Sequence, residues 1–213
     1  MKRTILGTAG LALALFAFAD DAAAQRPFRV GIIGGYNMAN LDGDGIEDAD
    51  SRSGFDIGGL VQIPMGEMIT IQPEVHYSQR GASFEEEGVG AEIALDYIHV
   101  PVLLRAGVPL AEGFDFDFIV GPSFAFEMGC EIEPEEGDSF DCDDDALGGE
   151  FDRKSTSIGI IGGGSFAWAA GPGDLLVDVR YDWGLTNISD SDADDSDVKN
   201  TALQFLIGYA FPL

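Results

Sequence analysis

Basic side chains are scarce in this sequence: 11 Lys and Arg stand against 38 Asp and Glu, a formal net charge of −27 over 213 residues. A polyanion is repelled by phosphate backbones, which excludes nucleic acid as a partner. Long apolar runs are missing as well. Beyond the N-terminus no stretch of about 18 apolar residues occurs, so no transmembrane helix is expected there. Histidine is limited to His76 and His99, and neither falls in a loop-like segment. That argues against a protease assembled from acidic and His groups at a rim. Cysteine is limited to Cys130 and Cys142, both in one acidic segment. In an oxidising compartment they can close a small loop as a disulfide, although spacing alone does not show that the geometry fits, and two free thiols are the alternative.

What is present is apolar and glycine-rich. Hydrophobic residues make up 46% and aromatics 10%, too much for an acidic disordered chain, and 29 glycines favour an all-β fold. The N-terminus reads as an export signal: Lys2 and Arg3, an apolar core from Ile5 to Ala19, and Ala22-Ala23-Ala24 before Gln25. Residues 1–24 are therefore expected to be removed, and no Cys follows the cleavage site, which argues against a lipoprotein. Residues 25–213 form the expected single domain, with 9 bases and 36 acids.

The acids are unevenly placed. Asp42–Ser53, Phe84–Ile93, Glu127–Lys154 and Thr186–Lys199 hold 26 acids and 4 bases, a charge of −22. The rest of the mature chain carries −5. Between these segments the sequence alternates with period two, as strands do and helices do not. Phe114, Phe116, Phe118, Val120, Phe124 and Phe126 share one face, opposite Asp115, Asp117, Ser123 and Glu127. Leu175, Val177, Val179, Tyr181, Trp183 and Leu185 oppose Asp178, Arg180, Asp182 and Thr186. Leu203, Phe205, Ile207, Tyr209 and Phe211 oppose Gln204, Gly208 and Ala210, and Glu74, His76, Ser78 and Arg80 share one side of another strand. Strands are expected over 28–41, 54–64, 68–83, 94–108, 114–127, 155–170, 174–186 and 200–211. Turn residues at Pro64–Glu67, Val108–Gly113 and Gly171–Gly173 make three connections short, while the acidic segments make four long.

Long connections alternating with short ones predict an eight-stranded antiparallel up-and-down transmembrane β-barrel, with short periplasmic turns and long acidic extracellular loops. A soluble eight-stranded barrel is the alternative, with its apolar face inward. Two features favour the membrane. The polar faces hold compensating charges (Glu74, Arg80, Arg105, Asp178, Arg180, Asp182) that a narrow interior can pair. The apolar faces end in aromatics, among them Phe114, Phe116, Phe166, Trp168, Tyr209 and Phe211 near the short turns and Tyr36, Tyr77, Phe84 and Trp183 near the long loops.

Ile71–Gly81 (IQPEVHYSQRG) resembles the "QPELLYSQKG" strand of PorT-like outer-membrane β-barrel proteins, and Leu95–Arg105 (LDYIHVPVLLR) resembles their "LNYLEIPLLLK" strand. Gly121-Pro122 is similar to the following "AGP", Arg180–Ile188 to "RYSYGLTNI", and Ile207–Phe211 to the terminal "LGYRF". The resemblance covers most of the mature chain in order and implies a barrel in the outer membrane of a Gram-negative bacterium. Here His99 stands where the family pattern has an acid, and Pro212-Leu213 follow the aromatic terminus. The family has varied roles, including a part in protein secretion for PorT itself, so the resemblance implies no one activity.

One segment has metal-ligand spacing. In Asn40–Ser51, oxygens at Asn40, Asp42, Asp44 and Asp48 fall where a calcium loop places ligands, with Gly45 at its sharp turn. Ser51 stands where a bidentate carboxylate belongs, and a solvated acidic loop is the competing reading. Asp141–Asp145 and Asp190–Asp197 are acidic clusters that attract divalent cations weakly. His76 and Ser78 share a face as a His-x-Ser lipid deacylase would place them, without a third orienting residue.

The expected role is that of a small structural or interaction barrel, not an enzyme, without a cofactor unless calcium occupies the 40–51 segment. The expected partners are outer-membrane lipids, divalent cations bridging to them, and a protein not identifiable from the sequence. A narrow cation-preferring pore is the alternative, and a lipid-active enzyme a further one.

Overall fold

In the computed structural model the described residues are 27–43, 50–86, 89–134, 139–142, 154–187 and 198–213. The expected signal segment, 1–24, lies outside them. Nine strands follow in chain order: β1 (Arg29–Gly43), β2 (Asp50–Pro64), β3 (Ile69–Glu86), β4 (Val89–Ala111), β5 (Phe114–Pro134), the two-residue β6 (Phe140–Asp141), β7 (Thr156–Ala170), β8 (Gly173–Gly184) and β9 (Val198–Pro212). All pairings are antiparallel. The sheet runs β4-β3-β2-β1-β9-β8-β7-β5, and β4 pairs back onto β5, so eight long strands close a ring. β6 adds only to the far end of β5, through Glu131 with Asp141 and Ile132 with Phe140. Closure leaves no continuous edge, the arrangement that lets a sheet sit where water cannot satisfy free backbone groups.

The three short connections lie at one end, where Gly113 (φ 69°) and Gly171 (φ 65°) adopt the left-handed conformation that tight turns require. At the other end the strands outrun the ranges expected from sequence. β4 starts at Val89 rather than 94, β5 continues to Pro134 rather than 127, and β2 starts at Asp50 rather than 54. Much of the second acidic segment, Phe84–Ile93, is consequently sheet: Phe84 pairs with Ala91 and Glu86 with Val89. The cause is visible in the residues that alternate with the acids. Ile93, Leu95, Cys130 and Ile132 pack with Tyr97, Ala125 and Cys142 into an apolar cluster that holds β4 and β5 together past the point where acids dominate the composition.

The two faces of the ring have the opposite polarity to a soluble barrel. Ile32, Ile57, Phe118 and Ile207 are each 60% exposed or more, whereas Arg105, Asp178, Arg180 and Asp182 are 2% exposed or less. The alternation in sequence is compatible with either face pointing inward; the structure turns the charged one in. On β8 the outward series runs from Leu175 to Trp183, eight residue steps, or about 26 Å along the strand and roughly 20 Å once tilted as such barrels are. That covers most of the apolar band of an outer-membrane barrel, which is about 25 Å tall. Phe114, Phe166 and Trp168 form one aromatic cluster near the short turns. Phe55 with Tyr77, and Tyr181 with Trp183, form others on the far side of the band. No helix of the described residues is long and apolar enough to cross a membrane; the crossing is by strands.

Candidate functional site

The charges inside the ring come from strands that alternate strictly, so each contributes every second side chain to the lumen. β3 supplies Gln72, Glu74, His76, Ser78 and Arg80; β8 supplies Asp178, Arg180 and Asp182; β4 supplies His99 and Arg105. The lumen is therefore built by residues distant in sequence, and cross-lumen ion pairs join them.

Arg180 forks onto Glu74, donating from Nη1 to Oε2 at 2.6 Å and from Nη2 to Oε1 at 2.8 Å. The same guanidinium donates from Nε to Asp178 Oδ2 at 3.1 Å. Arg105 donates to Asp117 Oδ2 from Nε (2.9 Å) and Nη2 (2.6 Å), and to Ser165 Oγ and Gln72 Oε1. Gln72 and Gln62 extend this set, Gln72 donating to Glu74 and Gln62 to Gln72. Arg80 pairs with Asp182 at 2.8 Å, and Ser123 donates to the other oxygen of Asp182 at 2.7 Å. Asp56 accepts from Asn37 Nδ2 (2.8 Å) and Gln204 Nε2 (3.1 Å). Taking ions out of water costs several kcal/mol each, so burial on this scale requires such pairing.

Apolar clusters pack among and beyond these charges. Toward the short turns lie Ile33, Leu60, Leu176, Leu206 and Ala210. Toward the long connections lie the cluster with Leu95, Tyr97 and Ala125, and a second one of Leu41 and Ala82 with Phe84 and Val198. At the short-turn mouth, a cavity of about 370 Å³ is lined by Arg29, Ala111, Asp115, Ala167, Ala169 and Asp174. Arg29 and Asp174 form an ion pair of 3.2 Å across it.

The residues singled out from sequence fall in different places. Glu74, Arg80, Arg105, Asp178, Arg180 and Asp182 all meet in the lumen. Cys130 and Cys142 are joined, with Cα atoms 5.5 Å apart, and both are buried over the upper apolar cluster. Asn40 and Asp42 lie in the β1 ladder opposite Thr201 and Lys199. As alternate residues of one strand they are spread along the same face by about 6.6 Å, rather than drawn together in a loop. Asp44 and Asp48 lie outside the described residues, as do Asp143–Asp145 and Asp190–Asp197. Among the described residues no group of three or more His, Cys, Asp or Glu side chains is placed to hold a metal ion. His76 Nε2 lies 2.7 Å from Glu74, and Ser78 Oγ accepts from Arg80, so the His-x-Ser pair is absorbed by separate partners.

Asp56, Asn37, Gln62 and Gln72 join the lumen without having stood out in the sequence. Asp56 sits in β2 among Gly54, Gly58 and Gly59, where glycines blur the alternation that marks the other strands. Its signal is the even spacing of Asp56, Leu60 and Gln62, readable only once the ring direction is known.

A closed antiparallel ring with apolar side chains outward and paired charges inward defines a transmembrane β-barrel. The family model of the outer membrane protein beta-barrel domain matches residues 18–190, and the chain belongs to that family. It is accordingly a protein of the bacterial outer membrane. None of the curated proteins matches the chain in sequence. Among solved structures it is similar to a major outer membrane protein from Thermus thermophilus (10% identity over 88% of this chain and 98% of that one, TM-score 0.52). It is also similar to Neisserial surface protein A (12% identity, 89% and 99% covered, TM-score 0.50). OprG from Pseudomonas aeruginosa is a further neighbour (12% identity, 89% and 98% covered, TM-score 0.49). At these identities the likeness shows the fold alone.

Proposed function

We propose that this protein is a closed barrel with a structural or interaction role, presenting its acidic segments at the extracellular surface. The observation that carries the reading is the lumen itself: cross-lumen ion pairs span it, and apolar clusters are packed among and beyond them. An interior packed this way offers no continuous aqueous path, unlike the lumen of a larger porin. The extracellular placement of the acidic segments follows the usual asymmetry of such barrels, in which the short turns face the periplasm. Strand motifs at Ile71–Gly81, Leu95–Arg105 and Arg180–Ile188 support a PorT-like branch of the family. The separate partners of His76 and Ser78 give no support to hydrolytic chemistry. The spacing of Asn40, Asp42, Asp44 and Asp48 supports calcium in the 40–51 segment, and the extended arrangement at Asn40 and Asp42 weighs against it.

Reconstitution in planar bilayers tests this reading. The expected result is a barrel that folds, by its heat-dependent gel mobility, yet gives no reproducible conductance steps. Cation-selective steps would instead establish the narrow pore, the reading favoured by the acidic Asp115 and Asp174 at the short-turn cavity.

A further inference from the structure

The lipid-facing side of the ring is not uniform. On β7 the outward glycines are roofed by rings from neighbouring strands: a Cβ at Gly162 would meet the Trp183 ring at 3.0 Å, and one at Gly164 the Phe116 ring at 2.9 Å. On β1 the outward Gly34 has no such roof; a Cβ there would first meet the backbone oxygen of Asp56 at 3.0 Å and then Ile57. Two residues from its cross-strand partners Ile57 and Ile207, the rings of Phe55 and Tyr209 are engaged elsewhere. Phe55 packs with Tyr77, and Tyr209 with Phe211, its hydroxyl donating to Ala170 O at 2.7 Å. What remains is a groove of about 480 Å³ over Gly34, walled by Ile32, Ile57 and Ile207 and ending at Leu175 and Tyr209 toward the short turns. Its isoleucines are 60–69% exposed, against 40–41% for Ile158 and Ile160 on β7.

The chemistry of the groove suits hydrocarbon. The one polar side chain lining it is that of Tyr209, whose hydroxyl is already bonded. Its register places it inside the apolar band. Ile207 lies opposite Val177 and Gly34, and Tyr209 opposite Leu175 and Ile32, all outward positions. The groove is therefore continuous with the surface that the fold commits to lipid, in the half nearer the short turns. An unfilled groove there would forfeit dispersion contacts along its walls. A second barrel fills it poorly, because stiff, branched isoleucines stand on both sides and keep a convex cylinder off the floor. Apolar surface alone gives such a copy no advantage over lipid, since lipid tails are equally apolar and packing decides. A flexible chain of methylenes can follow the floor between the walls.

We propose that this groove is a binding site for one phospholipid acyl chain, which enters from the short-turn side of the membrane and is held longer than the lipid around the rest of the belt. The choice of phospholipid over lipopolysaccharide rests on the orientation proposed above, with the short turns toward the periplasmic leaflet. The affinity for an acyl chain rests on the fold alone. β7 supplies the internal control, since its outward glycines are already covered by the chain's own rings.

The test uses the whole folded protein in bilayers of phosphatidylethanolamine and phosphatidylglycerol, with a trace of phosphatidylethanolamine bearing a diazirine midway along one chain. After irradiation and digestion, the peptides with Ile32, Ile57 and Ile207 are expected to carry several-fold more label than the β7 peptide with Ile158 and Ile160, beyond the ratio of their exposures. Ile207→Phe sets a ring directly across from Gly34 and should abolish that excess. Ile160→Phe on β7 should leave it unchanged. Ile57→Phe fills the groove from the other wall and replaces Ile207→Phe if heat-dependent gel mobility shows that the latter does not fold. Barrels purified from outer membranes are expected to retain a phospholipid in native mass spectrometry, and the groove-filled variant to lose it. Label that follows exposure alone, or an excess that survives the groove-filling ring, would overturn the site. Crosslinked pairs of barrels with the groove shielded from label would assign the face to a second copy instead. A retained lipopolysaccharide would overturn the choice of phospholipid and locate the error in the orientation, while conductance by the barrel leaves these readouts unaffected.

Discussion

At the scale of single residues, the lumen makes position matter more than charge. Arg80 has one carboxylate within ion-pair distance among the described residues, Asp182, and both are 3% exposed or less. Asp182→Ala strands that guanidinium, and a loss of about 3–5 kcal/mol is expected, read as a lower heat-unfolding midpoint. Replacing both partners, Arg80→Met with Asp182→Leu, should cost far less, because no unpaired charge stays buried. Asp115→Asn, at the solvent-open short-turn cavity, should change stability by no more than about 1 kcal/mol. Equal losses in the single and double lumen variants would refute the pairing argument. Asp182 is legible in the sequence because it alternates with apolar neighbours from Leu175 to Trp183, and Arg80 because it continues the even-numbered polar series of Glu74, His76 and Ser78. Asp56 is not, since the glycines around it carry no polarity to read, and its partners Asn37 and Gln204 come from strands that become neighbours only by ring closure.

At the scale of elements, the extension of β4 and β5 is where composition misleads. Acids at Glu92, Glu127, Glu131 and Glu133 suggest loop, yet their backbones pair in register from Ala91 with Pro134 to Asp96 with Gly129, and after a one-residue bulge Tyr97 pairs with Glu127. Alternation survives because Ile93, Leu95, Cys130 and Ile132 still bury one face, while Arg52 draws Glu92 and Glu133 to itself at 3.1 and 3.8 Å. Cys142 donates its backbone N–H to Cys130 O and is bonded to it covalently, so β6 is fastened along the free side of β5. A crosslink over 12 residues contributes on the order of 2–3 kcal/mol, here confined to one end of two strands. Reduction, or Cys130→Ser with Cys142→Ser, is expected to leave heat-dependent gel mobility intact, since the ring pairings lie elsewhere. It should instead raise the rate of limited proteolysis between residues 130 and 142 by tenfold or more. An unchanged cleavage rate would show that the apolar cluster alone holds β6.

At the scale of the whole molecule, the proposed orientation would separate charge along the barrel axis. Of the 10 acids outside the four acidic segments, Asp56, Glu74, Asp117, Asp178 and Asp182 are turned into the lumen with Arg80, Arg105 and Arg180. The short-turn end retains Glu67, Glu112, Asp115 and Asp174 against Arg29, while the acidic segments carry −22. The acidic segments, proposed to face outward, thus carry −22 of the net −27. Lipopolysaccharide phosphates there are anionic, and three arginines able to pair with phosphate are committed to the interior instead. Direct contact is repulsive within the roughly 8 Å over which charges act at physiological salt. Divalent cations remove that repulsion by binding both surfaces. Chelation in intact outer membranes is therefore expected to release the acidic segments from the leaflet and speed their digestion by added protease, while the barrel strands stay protected. Readdition of magnesium should reverse the effect and monovalent salt of equal ionic strength should not, because screening weakens repulsion without supplying a bridge. Digestion at the same rate in all three conditions would refute bridging of the acidic end to the leaflet by divalent cations.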